Sequence, residues 1–243
     1  MIPKIIHYCW FGGNVKPRCV VKCIDTWKRL LPEYEIKEWN ESNFDLKNAN
    51  QYVHEAYENK MWAFVTDYAR LKVLYEYGGV YFDTDVEVFK NFDELLSNKC
   101  FLGFESNDYI CTATIGCEAH NAFIRRFMES YEMRKFINLD GTFDTETTNV
   151  VAITKLLIEN GLNQNGKKQV VNGVTIYPQY YFASNDLRNI FHRYSSKIYS
   201  YHHCQATWYN SVRDGKFWDL FRHYLIGKLR NTIGTDRLSA LKK

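Results

Sequence analysis

Two aspartates, Asp83 and Asp85, sit inside an otherwise apolar run, GGVYFDTDVEVF, from Gly78 to Phe89. Ionised carboxylates are costly to bury without partners. Read as one strand, the run sends Val80, Phe82, Thr84, Val86 and Val88 to one face. It sends Tyr81, Asp83, Asp85 and Glu87 to the other, with the two acids about 7 Å apart at Cα. Like charges that close repel unless a cation sits between them. A hard divalent ion, Mn2+ or Mg2+, is the natural partner of such oxygens. On the D-x-D alone, a solvated edge face with its acids pointing to water is an equal alternative.

A second pair of charges lies upstream. In TDYAR, Asp67 and Arg70 are three residues apart and share a helix face. Alone they could form a surface ion pair of small worth. Their helix, however, runs directly into Gly78-Gly79 and the D-x-D run, so the pair is delivered close to the two carboxylates.

The elements that must position these groups can be traced along the chain. Ile5 to Trp10 reads as a strand ending at Gly12-Gly13. Pro17 opens a helix whose apolar stripe is Val20, Ile24, Trp27 and Leu31, and Pro32 closes it. Tyr34 to Trp39 is a short strand. Val53 to Tyr77, free of Gly and Pro, reads as one long helix stopped by Gly78-Gly79. Strands follow through the D-x-D run, at Cys100 to Phe104 and at Tyr109 to Cys117. Helices are expected near Ala119 to Met133 and Thr147 to Glu159. Strands are expected near Thr175 to Tyr177 and Lys197 to His202, and a last helix at Lys216 to Leu229. Strands and helices interleave in the first half, which predicts an α/β domain with a largely parallel sheet.

The 243 residues fit one domain, 1–243, with a basic aromatic helical segment over about 214–243. Hydrophobic residues make up 46% and aromatics 16%, enough for a packed core. A net charge of +3 is too small an excess to mark a nucleic-acid binder. No run approaches the ~18 apolar residues of a membrane span, and the first residues do not form a signal peptide. Seven cysteines without a C-x-x-C point to reduced, buried thiols and a cytoplasmic setting.

The unit T-D-Y-A-R-L-x-x-L-Y-x-Y-G-G-V-Y-x-D-x-D resembles glycosyltransferase family 32. That family includes fungal Golgi mannosyltransferases and bacterial capsule or O-antigen enzymes, and is related to the catalytic domain of the large clostridial glucosylating toxins. IPKIIHYCWFGG resembles the family's first strand and nucleotide loop, LPEYEIKEWNE its second strand, and HHCQATW its closing C-terminal element. Between Asp140 and Val171 the likeness weakens: TETTNVVAITKLL stands where the family often has a Thr-Gly-Pro turn.

The resemblance implies a GT-A fold, with one Rossmann-like sheet and the donor at the carboxyl ends of the strands. It implies a metal-dependent, retaining transfer from a nucleoside-diphosphate sugar, with a UDP-hexose or UDP-N-acetylhexosamine expected. The acceptor would be a glycan or lipid-linked saccharide in surface polysaccharide synthesis. By resemblance, Trp10 stacks on the nucleobase, although a tryptophan that merely caps the first strand would also fit. Asp67 and Arg70 hold the donor sugar. Asp83 is shared between ribose, sugar and metal, and Asp85 ligates the metal. Tyr81 lines the nucleotide pocket, His203 joins the metal, and Trp208 covers the diphosphate. His202 and His203 could equally be structural.

Two other classes stay open. A D-x-D phosphatase would use the first aspartate as nucleophile, but Glu87 stands where Thr or Val is usual. A non-catalytic sugar-nucleotide or carbohydrate-binding protein would need only the aromatics. The C-terminal segment, with Phe217, Trp218, Phe221 and Tyr224 beside Arg222, Lys228 and Arg230, could lie peripherally on an anionic bilayer or pack as a terminal helix.

Overall fold

The structure is a computed structural model that describes residues 1–145, 147–182 and 197–204. The chain begins with β1 (Ile5–Cys9), α1 (Arg18–Leu30), β2 (Glu35–Trp39), α2 (Gln51–Glu58) and α3 (Trp62–Tyr77). It continues through β3 (Gly79–Phe82), β4 (Val86–Val88), β5 (Cys100–Phe104) and β6 (Ile110–Cys117). Then come α4 (Ala122–Glu129), α5 (Asn149–Glu159), β7 (Gln169–Val171), β8 (Val174–Tyr177) and β9 (Ser200–His202).

Seven strands form one sheet in the order β2-β1-β3-β6-β5-β8-β7. β1 pairs in parallel with β2 and β3, and β5 with β8. β6 is antiparallel to both β3 and β5, and β7 to β8. Most strands therefore point one way, and β6 and β7 oppose them. The parallel sheet expected from the sequence is present with these two reversals.

Alternation along the strands builds a core on each face. Ile6, Tyr8, Val80 and Phe82 pack with Val20, Ile24 and Trp27 of α1. Cys9, Tyr81, Leu102 and Ile115 pack on the other face with residues of α2, α3 and α5, among them Val53, Val65, Leu71 and Ile153. The stripe read from α1 is buried as the spacing predicts.

The long helix expected over 53–77 is two. Asn59 ends α2, Lys60 adopts a left-handed φ of 58°, and α3 restarts at Trp62. Met61 N donates to Ala56 O at 2.8 Å, and Lys60 N donates to Tyr57 O at 2.9 Å. These are the paired closing bonds of a Schellman motif. Because Lys rather than Gly fills the left-handed position, the sequence carries no stop signal there.

The other end of α3 follows the sequence. Gly78 and Gly79 have φ of 63° and 107°, conformations that favour glycine. A Cβ at Gly79 would lie 2.6 Å from Ile5 O. The reversal is tight, so the first half of α3 comes to lie beside the carboxyl end of β3.

The strand expected through the D-x-D run is also divided. Asp83 N makes the last bond to β6, at Ala113 O, 2.9 Å. Val86 N then donates to Asp83 O at 3.0 Å and closes a turn over Asp83–Val86. β4 leaves the main sheet and pairs antiparallel with β9. α1 holds it there: the Trp27 indole donates to Val86 O at 2.7 Å, and Thr26 Oγ1 accepts from Val88 N at 3.0 Å. The helix expected over 119–133 is confined to Ala122–Glu129, where Asn121 caps its first turn. The expected helix at Lys216 to Leu229, and Trp208, lie outside the described residues.

Candidate active site

β1, β2 and β3 run in parallel and end at Cys9, Trp39 and Phe82. The residues just beyond these ends, Trp10, Asn40 and Asp83, therefore share one edge of the sheet, where open α/β sheets bind ligands. α3 brings Asp67 and Arg70 to the same edge.

Arg70 organises the centre. Its Nη2 donates to Asp67 Oδ1 at 3.0 Å and lies 3.3 Å from Asp83 Oδ1. Nη1 donates to Thr112 O at 2.9 Å. The guanidinium lies 4.8 Å from the centre of the Tyr81 ring, and the Tyr81 hydroxyl donates to Asp83 Oδ1 at 2.9 Å. Burial opposes the charge on Arg70, but Asp83, Tyr81 and Asp67 outweigh it and its pKa rises further. Arg70 is thus a fixed cation tying the α3 acid to the first D-x-D acid.

The two acids differ. Asp67 is buried, and that burial pushes its pKa up to about 7 although Arg70 pulls the other way. Its Oδ1 takes both Arg70 and the Asn149 side-chain amide, at 2.7 Å. Both bonds end on one oxygen, so Oδ2 can accept a hydroxyl from a bound molecule. The Asp83 side chain keeps 25% of its surface exposed and faces the edge. Asn149 opens α5, where Thr148 supplies the cap. It lies in the stretch where the family pattern is weakest, and no sequence feature joined it to Asp67.

Asp85 lies at the far side of the turn and is buried. β9 supplies its neighbour: His202 Nε2 is 3.2 Å from Asp85 Oδ1. Burial opposes charge on His202, but Cys204 and Asp85 outweigh it and raise its pKa well above the ordinary value. His203 is placed differently. Its ring nitrogen lies 2.9 Å from Glu87 Oε2, and its backbone N–H donates to the Asp85 carbonyl at 3.1 Å. Neighbouring residues on an extended segment diverge, so His202 is the imidazole at Asp85.

Tyr81 is 1% exposed and reaches the edge through its hydroxyl on Asp83. Trp10 is half-buried. Its indole donates to Asn14 O at 2.6 Å, and Lys16 Nζ lies 5.7 Å from its ring centre. It is held by the loop after β1 and packs at the margin of the core around α1.

Among the described residues no group of three or more His, Cys, Asp or Glu side chains forms a metal cage. The turn instead offers two carboxylates, hard oxygen donors that suit a divalent ion whose remaining ligands come from phosphate and water. The donor chemistry therefore fits an ion bound together with a phosphorylated molecule.

Residues 17–102 match the family described as a glycosyltransferase sugar-binding region containing a DXD motif. Two curated proteins of Schizosaccharomyces pombe are similar. Inositol phosphoceramide mannosyltransferase 3 is 28% identical over 131 residues, 51% of this chain and 35% of that protein. Inositol phosphoceramide mannosyltransferase 1 is 30% identical over 109 residues, 42% of this chain and 33% of that protein. The chain thus spans about a third of the length of these relatives. Among solved structures, PaToxG glycosyltransferase aligns with a TM-score of 0.50 at 20% identity, over 65% of this chain and 68% of that one. The fold is the mixed α/β arrangement of GT-A glycosyltransferases, with a mostly parallel central sheet flanked by helices.

Proposed function

We propose that the chain is a glycosyltransferase that moves a sugar from a nucleoside-diphosphate donor to a glycan or lipid-linked saccharide. The single observation that carries this reading is Arg70 bridging Asp67 and Asp83 at the carboxyl edge of the sheet. A surface ion pair would not bury Asp67 and Arg70 and tie them to a third, partly exposed acid through one guanidinium. The match over residues 17–102 to a DXD glycosyltransferase region supports the same conclusion.

Each residue then has a task. Trp10 stacks on the base and sets one end of the donor. Asp67, through Oδ2, accepts a hydroxyl of the donor sugar and fixes its orientation. Asp83 and Asp85 would hold a divalent ion against the diphosphate, with His202 beside Asp85. Such an ion, when bound, offsets the charge of the leaving diphosphate. Arg70 places a further fixed positive charge next to that charge. Asp83 is engaged by Arg70 and Tyr81 as an acceptor, which disfavours its use as a phosphatase nucleophile.

We assign no carboxylate as a nucleophile on the anomeric carbon. Asp67 is tied by Arg70 and Asn149, so an orienting role suits it better. Transfer with retention, by same-face attack of the acceptor hydroxyl, follows from the resemblance to family 32.

The test is a donor panel. The protein with Mn2+ should release nucleoside diphosphate from one or more of UDP-glucose, UDP-N-acetylglucosamine and GDP-mannose. The last is included because the curated relatives are mannosyltransferases by name. Tight nucleotide binding with no release from any donor, even with saccharide acceptors added, would favour a binding protein instead.

A further inference from the structure

Close enough to Asp67 for the Arg134 charge to act on it lies a polar cluster with no part in the mechanism above. Arg134 follows α4 and is mostly buried, its side chain 16% exposed. Its guanidinium lies 4.7 Å from the Tyr52 ring centre and 4.6 Å from that of Tyr131. Both tyrosines are fully buried and pack edge to face at 5.2 Å. Arg134 Nη2 donates to Asp144 Oδ2 at 2.8 Å and to Thr147 O at 2.7 Å. Asp144 Oδ1 in turn accepts from Thr147 N at 3.2 Å.

These bonds end one residue before the α5 cap. Thr148 Oγ1 accepts from Val151 N, and Asn149 is the first residue of α5. The Asn149 amide is one of the two donors to Asp67 Oδ1. A planar fork laid on two buried rings has almost no rotational freedom. The carbonyl it holds, Thr147 O, fixes where α5 starts.

We propose that Arg134 is a positioning residue for donor-sugar recognition: it sets the start of α5 so that Asn149 holds Asp67 Oδ1 and leaves Oδ2 directed at the sugar. The proposal rests on the glycosyltransferase reading. Arg134, Asp144 and Asn149 all fall outside residues 17–102, the stretch matched to the sugar-binding region. The device is therefore a property of this chain's α4–α5 segment. An Arg134 that only stabilised the fold would act on every function equally and independently of Asn149.

A double-mutant cycle on donor release with Mn2+ separates the two. Asn149→Ala and Arg134→Gln should each lower kcat by about tenfold or more, with UDP and GDP affinity unchanged, and the double variant should be no worse than Asn149→Ala alone. Arg134→Lys keeps the charge but not the planar group laid on the Tyr52 and Tyr131 rings. It should fall with Arg134→Gln, and it carries the cycle if Arg134→Gln does not fold. Additive losses, or wild-type turnover in a folded Arg134 variant, would overturn this inference alone. A wild-type protein that releases nucleoside diphosphate from none of the three donors would overturn the functional reading and this inference with it.

Discussion

Asp67 and Arg70 sit together for a reason that decides what each substitution does. Asp67→Asn keeps a hydrogen-bonding group for Asn149 but removes the charge that balances Arg70. Arg70→Ala removes the partner of two acids and leaves Asp67 buried without it, a change that costs about 3–5 kcal/mol in comparable buried pairs. Both variants should lose most donor turnover. Asp67→Asn, the milder of the two, should still bind UDP or GDP, because the nucleotide end is set by Trp10. Near-normal turnover in Asp67→Asn would reduce the pair to scaffolding. Trp10→Ala should weaken nucleoside diphosphate binding by about 1–3 kcal/mol, the scale of base–aromatic stacking. Unchanged affinity by calorimetry in a folded variant would make Trp10 a strand-capping residue only.

Among the elements, those with explicit local signals were legible in the sequence. α1 was announced by Pro17 and its stripe, and the Gly78-Gly79 reversal by two glycines that the backbone requires. The break between α2 and α3 was hidden because Lys60 does what glycine usually does. The turn at Asp83–Val86 was hidden because the alternation of apolar residues continues across it: Val86 and Val88 remain in the core of Phe82, but on a strand that belongs to another sheet. The same holds for the two histidines. Which imidazole meets Asp85 depends on how β9 pairs with β4, a long-range register that local sequence does not contain. Asn149 was illegible for the same reason, since only packing of α5 brings it to α3.

β1 also carries a histidine that the site does not use. His7 is fully buried: the Trp39 indole donates to its Nδ1 at 3.0 Å, and its Nε2 lies 2.7 Å from Gly78 O. An indole only donates, so Nδ1 is bare, Nε2 carries the proton and the ring is neutral. Burial lowers its pKa to about 4, against 6.5 when unfolded. The stability this neutral ring contributes is complete above pH 6.5 and is lost as pH falls toward 4, by up to about 3 kcal/mol. His7→Gln cannot titrate. Urea denaturation at pH 7.5 and 4.5 should show the wild type losing more stability than the variant. Equal losses would mean that His7 is not the group responsible.

At the scale of the whole molecule, the sheet edge gathers groups from α3, the turn after β3, the loop after β1, and β9. Among the described residues no helix is long and apolar enough to cross a membrane. The peripheral bilayer contact and cytoplasmic setting read from the sequence stand as proposals, the former for a segment beyond the described residues. The fold class was legible because interleaved strands and helices leave few arrangements. The reversed strands β6 and β7 were not, because direction is set by pairing partners far along the chain.

The central claim is that Asp83 and Asp85 hold a divalent ion jointly with the donor diphosphate. Neither component alone has enough partners, so each should strengthen the other, and by the same factor in either order. Isothermal titration of Mn2+ and of UDP or GDP, separately and then together, measures this on the wild type and on Asp85→Asn. The account predicts that Mn2+ tightens nucleotide binding by about tenfold or more, a coupling of at least ~1.4 kcal/mol, and that Asp85→Asn abolishes the enhancement. Nucleotide affinity indifferent to Mn2+ in the wild type, or an enhancement that survives in Asp85→Asn, would contradict it.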